Sequence, residues 1–265
     1  MPTKSFSLKV NRSIKPYKKS ITVDSDKSLS IRSFLIGSIS QGFSEVKNVL
    51  ESQDVFSTIN SLKKLGVKIK RKKLKSYIIY GKGLGSLFAK KNLKLNFGNS
   101  GTLARLLIGI LSTTPDIEVF IKGDASLNKR NMKKLIDLMS EFGAEFYPKN
   151  KFNFPIKLIS TEMPLGINYR SGISAQLKSA VMLAGLNSFG VTKIIEEKRS
   201  RDHTENILKL SKNIIKIENR RKKIIKIYGK GVLKSVKLDI PGDPSSASFF
   251  AALTILLKKN SSLKI

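Results

Sequence analysis

The sequence predicts an α/β (α+β) fold of repeated units, an inside-out barrel-like domain with apolar helices packed inside and sheets outside. Three observations predict it. Four segments with a small or polar opening and an apolar continuation recur at nearly constant spacing. The pentapeptide IYGKG occurs at 79–83 and again at 227–231, 148 residues or two repeats apart. The helices that open the units are apolar nearly all round, which suits a helix inside a domain rather than on its surface.

The recurring openings are DKSLSIRSFLIGSI (26–39), GNSGTLARLLIGIL (98–111), SGISAQLKSAVMLAGL (171–186) and GDPSSASFFAALTIL (242–256). Aligned on Ser28, Gly101, Ser174 and Ser245 they lie 73, 73 and 71 residues apart. A basic residue follows four positions later in the first three, as Arg32, Arg105 and Lys178; the fourth has Phe249. Amphipathic segments come next, at 54–69, 130–146 and 202–217. Val55, Ile59, Leu62 and Leu65 keep helical spacing, as do Met132, Leu135, Ile136 and Met139. Each is followed by a strand pair, so a unit reads helix, strand, helix, strand, strand. Three units complete themselves between about 24 and 238, and a fourth opens at Gly242 and is cut short after one helix. FFAALTILL is then left with little to pack against, and the sequence reads as a truncated piece of a longer protein.

Composition narrows the function classes. At 265 residues and 40% hydrophobic the chain can bury a real core and is not a disordered one. Cysteine is absent, which excludes disulfides, thiolate metal sites and cysteine nucleophiles; the single His203 excludes a multi-histidine metal cluster. The start, MPTKSFSLKV, lacks a signal-peptide core, and the longest apolar run, Phe249 to Leu257, is too short for a bilayer. A soluble, cytoplasmic protein is the expectation.

Fifty Lys and Arg against 19 Asp and Glu give a net charge of +31. A nucleic-acid binder, an enzyme for anionic substrates and a compositional bias of an A+T-rich genome all fit that number. The densest basic runs, 68–75 and 219–226, each fall between a strand-like piece and a second strand ending in IYGKG. They are expected to cap equivalent hairpins. No aromatic residues alternate with them as stacking platforms would require, which puts nucleic-acid binding second.

Small residues ahead of a buried helix let backbone N–H groups approach a ligand, and the helix N-terminus favours an anion there. Lys27, Arg32, Arg105, Arg130, Lys178 and Arg201 fall near these openings, which suits phosphates or carboxylates. Neither GxxxxGK[ST] nor GxGxxG occurs. Taken singly, the same residues have duller readings: Ser28, Ser174 and Ser245 as N-caps, Asp202 with Glu205 as a capping box, His203 as a structural histidine, Gly98 and Gly101 as turn glycines. Composition and spacing reach an anion-binding repeat protein and name no reaction.

Read together, DKSLSIR (26–32), GNSGTLARLL (98–107), GDASLNKR (123–130), SGISAQLKSAVMLAGL (171–186), SRDHTE (200–205) and PGDPSSASFF (241–250) resemble the enolpyruvyl transferase family, and within it the 5-enolpyruvylshikimate-3-phosphate synthases. The resemblance implies two domains of three βαβαββ units each. One would be complete here, at 21–238; residues 1–20 with 239–265 would be a fragment of the other. It implies transfer of the enolpyruvyl group of phosphoenolpyruvate to the 5-hydroxyl of shikimate 3-phosphate with release of phosphate, as a step of aromatic amino acid biosynthesis. The chemistry is addition and elimination, with no metal and no organic cofactor. The expected partners are those two small anions, with no membrane and no specific nucleic acid, and the full-length form is expected to be a monomer.

Carried over position by position, the resemblance makes Lys27 the catalytic residue, in contact with both substrates. Ser28, Arg32, Ser174, Ala175, Gln176 and Arg201 would bind shikimate 3-phosphate. Asn99, Gly101, Arg130 and Gln176 would bind phosphoenolpyruvate. Arg105 and Lys178 are read as structural, packed behind the site. The family's proton-transferring carboxylates belong to the part this chain does not include, so the fragment is expected to bind shikimate 3-phosphate without turning over. Asp24-Ser25 stands where the family usually has Pro-Gly, Ile31 replaces a common histidine, and Asn131 a common proline. UDP-N-acetylglucosamine enolpyruvyl transferase is the nearest alternative; its usual cysteine is absent here. A nucleic-acid-binding repeat protein and a nonfunctional fragment are the others.

Overall fold

In the computed structural model residues 7, 9, 14–219, 221–257 and 260–265 are described. The chain divides into two units: Ser25–Pro241, and Gly242–Ile265 together with the residues before Ser25. In the smaller unit β1 (Lys18–Ser20) is the first strand among the described residues.

The larger unit is built of three repeats. The first holds α1 (Lys27–Ile39), β2 (Gln41–Lys47), α2 (Gln53–Lys64), β3 (Lys68–Lys73) and β4 (Ser76–Lys82). The second holds β5 (Leu93–Asn96), α3 (Gly101–Ser112), β6 (Glu118–Lys122), the single turn α4 (Ala125–Asn128), α5 (Lys133–Glu141), β7 (Glu145–Tyr147) and β8 (Ile156–Ile159). The third holds β9 (Asn168–Ser171), α6 (Ala175–Gly185), β10 (Val191–Glu196), α7 (His203–Leu208), β11 (Ile215–Asn219) and β12 (Lys223–Tyr228), and β13 (Lys237–Asp239) follows. In the smaller unit α8 (Pro244–Leu256) and β14 (Ser262–Lys264) complete the chain.

Each repeat makes a four-stranded sheet of one design. The orders are β13-β2-β4-β3, β5-β6-β8-β7 and β9-β10-β12-β11. In each, the leading strand is parallel to its neighbour and the remaining pairs are antiparallel. The leading strand of the first sheet is β13, which comes after the third repeat in sequence. Chain order alone hides this: the last strand of the unit returns to close the first sheet.

The helices α1, α3 and α6 form the interior, as their all-round apolar sequences require. Ten of the thirteen residues of α1, eleven of the twelve of α3 and eight of the eleven of α6 are buried. Helices α3 and α6 pack so closely that a Cβ on Gly109 would stand 2.6 Å from the Ala180 carbonyl oxygen. The amphipathic helices α2 and α5 turn Val55, Ile59 and Leu62, and Leu135, Ile136 and Met139, into the same core. The third amphipathic segment gives only the six residues of α7, because Leu210 N and Ser211 N turn back to the carbonyls of Ile207 and Leu208, three residues earlier.

The repeated IYGKG has a steric cause. The middle glycine, Gly81 or Gly229, lies against the C-terminus of its repeat's buried helix, where a Cβ would overlap the Ser40 or Ser188 carbonyl. The registers agree too: Phe43 pairs with Tyr80 and Val191 with Tyr228, each 148 residues from its counterpart. The basic runs do more than cap hairpins. Residues 68–73 are the strand β3 itself, and 219–226 contribute to both β11 and β12.

Of the three serines expected as N-caps, Ser174 is one and Ser28 and Ser245 are not. Asp26, Ser100 and Ser174 cap α1, α3 and α6 through bonds from Leu29 N, Leu103 N and Leu177 N, and Asp243 caps α8. Ser28 and Ser245 therefore lie inside their helices. Asp202 makes no side-chain cap to α7, since Glu205 is drawn into a buried ion pair instead.

The smaller unit pairs β1 with β14 in parallel, and Tyr17 Oη meets Thr254 Oγ1 of α8 at 2.8 Å. Helix α8 is as apolar as its three counterparts, yet none of its residues is buried, and Phe249 is 77% exposed. No helix among the described residues is long and apolar enough to cross a membrane.

Candidate functional site

The three buried helices of the larger unit point the same way. Near one end of α3 and α6 the Gln176 Nε2 donates to Thr102 Oγ1 at 2.9 Å; near the other, Thr113 Oγ1 donates to the Ala184 carbonyl at 3.2 Å. Helix α1 joins them where Arg32 Nη2 donates to Ser179 Oγ at 3.1 Å. Their first turns therefore share one end, which gathers unpaired N–H groups and the positive ends of three dipoles.

Lys27 and Ser28 lie in the first turn of α1. Lys27 is half exposed, and its Nζ stands 3.0 Å from Asp54 Oδ2 in the first turn of α2. Asp54 was not singled out by the sequence reading; the signal was an acid at the start of an amphipathic helix. Arg32 is buried beneath this turn. Its Nε donates to Thr204 Oγ1, Nη1 to the Ser28 carbonyl and Nη2 to Ser179 Oγ, which engages three of its five N–H groups. Burial lowers its pKa to about 10, despite Asp26 and Glu205 nearby.

Asn99, Gly101 and Arg130 are brought together. Arg130 Nη2 donates to Asn99 Oδ1 at 2.6 Å. A Cβ on Gly101 would lie 2.8 Å from Arg130 Nη1 and 2.9 Å from Arg105 Nη1, so a side chain there would push both guanidinium ends aside from this helix N-terminus. Arg105 Nη1 donates to the Gly101 carbonyl and, at 2.8 Å, to Gln176 Oε1. Burial and then the neighbouring charge of Arg130 lower the Arg105 pKa. Arg105 thus ties the start of α3 to Gln176 of α6.

Ser174, Ala175, Gln176 and Arg201 line one open cleft of about 570 Å³, with Ile173, Arg199 and Ser200. Gln176 touches both groups of residues: it lines this cleft and binds Arg105. Lys178 is packed behind, fully buried, with Glu196 Oε1 at 2.7 Å and Glu205 Oε1 at 2.6 Å. His203 is half buried; burial, then the charge of Arg32, lowers its pKa and keeps the imidazole neutral near pH 7. The described residues hold no cluster of His, Asp and Glu suited to a metal ion. The start of α6 with Arg201, and the start of α3 with Arg130, each combine a helix N-terminus with a guanidinium group, which suits an anion.

Comparisons with known proteins give the family of the chain. Residues 11–264 match the family model described as EPSP synthase (3-phosphoshikimate 1-carboxyvinyltransferase). The chain belongs to the EPSP synthase family. A 3-phosphoshikimate 1-carboxyvinyltransferase of Parvibaculum lavamentivorans is 40% identical over 240 residues, covering 89% of this chain and 53% of the relative. Another, from Petrotoga mobilis, is 39% identical over 250 residues, covering 92% and 56%. Among solved structures, an EPSP synthase from Acinetobacter baumannii superimposes with a TM-score of 0.80 at 34% identity, over 91% of this chain and 54% of that one. The chain therefore spans about half the length of the EPSP synthases it matches.

Proposed function

We propose that this chain supplies one half of an active site that transfers the enolpyruvyl group of phosphoenolpyruvate to the 5-hydroxyl of shikimate 3-phosphate. The single observation that carries the reading is the convergence of three helix N-termini with Lys27, Arg130 and Arg201 around one end of the larger unit.

Shikimate 3-phosphate lies over the start of α6. Ser174, Ala175 and Gln176 offer hydroxyl, backbone N–H and amide donors, and Arg201 supplies a bidentate partner for its charged groups. Ser28 completes this side, with Arg32 beneath it using the N–H groups that Thr204, Ser28 and Ser179 leave over. Phosphoenolpyruvate lies beside it, against Asn99, Gly101 and Arg130, with the Gln176 amide between the two.

In the addition step the 5-hydroxyl gives up its proton as its oxygen bonds to C2 of phosphoenolpyruvate, while C3 takes a proton and the C2–C3 double bond becomes single. In the elimination step that methyl group gives up a proton and the C2–O bond to phosphate breaks. Lys27 is the catalytic residue: its ammonium faces both substrates and stabilises charge on the departing phosphate. Asp54 holds that ammonium in place. The carboxylates that move protons come from the rest of the protein, so the 265-residue chain binds shikimate 3-phosphate and does not turn over.

Calorimetric titration of shikimate 3-phosphate into the purified chain, with shikimate as control, tests this. Phosphate-dependent binding that is lost in Arg201→Ala is expected. No binding by a chain shown to be folded would overturn the half-site.

A further inference from the structure

Glu196 and Glu205 share two lysines in a cluster with almost no solvent. Glu196 Oε1 accepts from Lys178 Nζ, from Ser200 N at 2.9 Å and from Ser200 Oγ at 2.9 Å, while its Oε2 stands 3.2 Å from Lys223 Nζ. Glu205 Oε1 meets both ammonium groups, at 2.6 and 3.3 Å. The side chains of Lys178, Glu196 and Glu205 are at most 1% exposed. Burial would raise the Glu196 pKa, but the bonds from Lys178 and Ser200 outweigh it and hold it down to about 2.

The cluster ties the two segments of the third repeat that line the cleft, the start of α6 and the loop at 199–201, to β10, α7 and β12. Lys178 belongs to α6, one turn after Ser174, Ala175 and Gln176. Glu196 ends β10, and its two bonds to Ser200 fold back the loop that carries Arg199, Ser200 and Arg201. Glu205 belongs to α7, beside Thr204, which holds Arg32. Lys223 opens β12.

Burying three charges beside a fourth that is only partly covered is a poor way to gain stability, because well-packed apolar residues do as well or better. The other two repeats build the same helix and sheet without it. The residues 73 and 146 positions before Lys178 are Arg105 and Arg32, whose guanidinium groups reach Gln176 and Thr204 instead of a buried carboxylate. What the third repeat gains is orientation: both bonds from Ser200 converge on one carboxylate oxygen that Lys178 fixes from below.

We infer that Glu196, held by Lys178 and Lys223, is a positioning residue that sets the 197–202 loop, and with it Arg201, over the N-terminus of α6, and so determines the affinity of this cleft for a phosphorylated ligand. The inference rests on the proposed function in taking shikimate 3-phosphate as that ligand.

The test pairs affinity with a readout that needs no ligand. Glu196→Gln keeps the side chain's shape and removes the charge that fixes the loop. Its dissociation constant for shikimate 3-phosphate, measured by calorimetry well below the melting temperature, is expected to rise at least tenfold. Hydrogen exchange of the Ser200 amide is expected to speed up at least tenfold, with amides in the middle of α6 unchanged. Ser200→Ala, which leaves the buried ion pairs intact, should weaken binding two- to fivefold, and it serves alone if Glu196→Gln does not fold. Wild-type affinity in both folded variants would overturn the inference, whatever happens to their melting temperatures. Unchanged Ser200 exchange in Glu196→Gln would overturn it even if the wild-type chain bound no shikimate 3-phosphate, an outcome that separately defeats the proposed function.

Discussion

Gln176 Oε1 accepts a hydrogen bond from Arg105 Nη1 at 2.8 Å while its Nε2 donates to Thr102 Oγ1, so one side chain of α6 is fixed by two of α3. This joins the cluster around Arg130 to the cleft over α6, and it explains how a residue in the third repeat serves both proposed substrates.

Gln176→Ala should therefore do more to binding than to folding. The residue is only partly buried, and its loss removes two hydrogen bonds worth ~1 kcal/mol each. Shikimate 3-phosphate affinity is expected to fall about tenfold by calorimetry, as Arg105 loses its acceptor and turns away from Gly101. An unchanged affinity would remove Gln176 from the site.

Lys27→Met in the full-length protein should abolish turnover and leave the fold intact. The ammonium of Lys27 is half exposed and pairs with Asp54 at the surface, an interaction worth at most ~1 kcal/mol to stability. A coupled assay for released phosphate checks the activity, and thermal unfolding checks the fold. Wild-type rates would remove Lys27 from catalysis.

Much of this was legible in the sequence because the repeat is written in it. All-round apolar helices gave the inside-out arrangement, and ordered motifs brought Asn99, Gly101, Arg130 and the Ser174–Gln176 stretch to neighbouring helix ends. What stayed hidden depends on pairing across repeats. β13 closes a sheet with a strand nearly 200 residues earlier, Arg32 bonds to Ser179 and Thr204, and Asp54 meets Lys27 from another helix. Glu205 looked like half of a capping box because local spacing cannot reveal that Lys178 waits beneath it.

Acid should weaken the larger unit in two steps. His203 has a lowered folded pKa, so below its ordinary 6.5 the unfolded chain takes the proton first and stability falls. Glu196 contributes stability that is fully present above its ordinary 4.5 and is lost as the pH falls towards its folded value of about 2. Denaturant midpoints from pH 8 to 3 check both. His203→Gln should flatten the first limb and Glu196→Gln the second; a limb unchanged by its own substitution would remove that residue as its cause.

Gly229→Ala should be among the most damaging single changes in the chain, although Gly229 is far from the proposed ligands. A Cβ there would overlap the Ser188 carbonyl and stand 2.9 Å from that of Gly185, both at the C-terminus of α6. Those atoms are backbone, so β12 must move away from the helix instead of a side chain rotating aside, at a cost of ~2 kcal/mol or more. Gly81→Ala makes the same clash with Ser40 and, at 2.6 Å, with Gly37 in the first repeat. Denaturant unfolding should show comparable losses for the two. A neutral result at either position would mean that the repeated IYGKG is not explained by close approach of strand and helix.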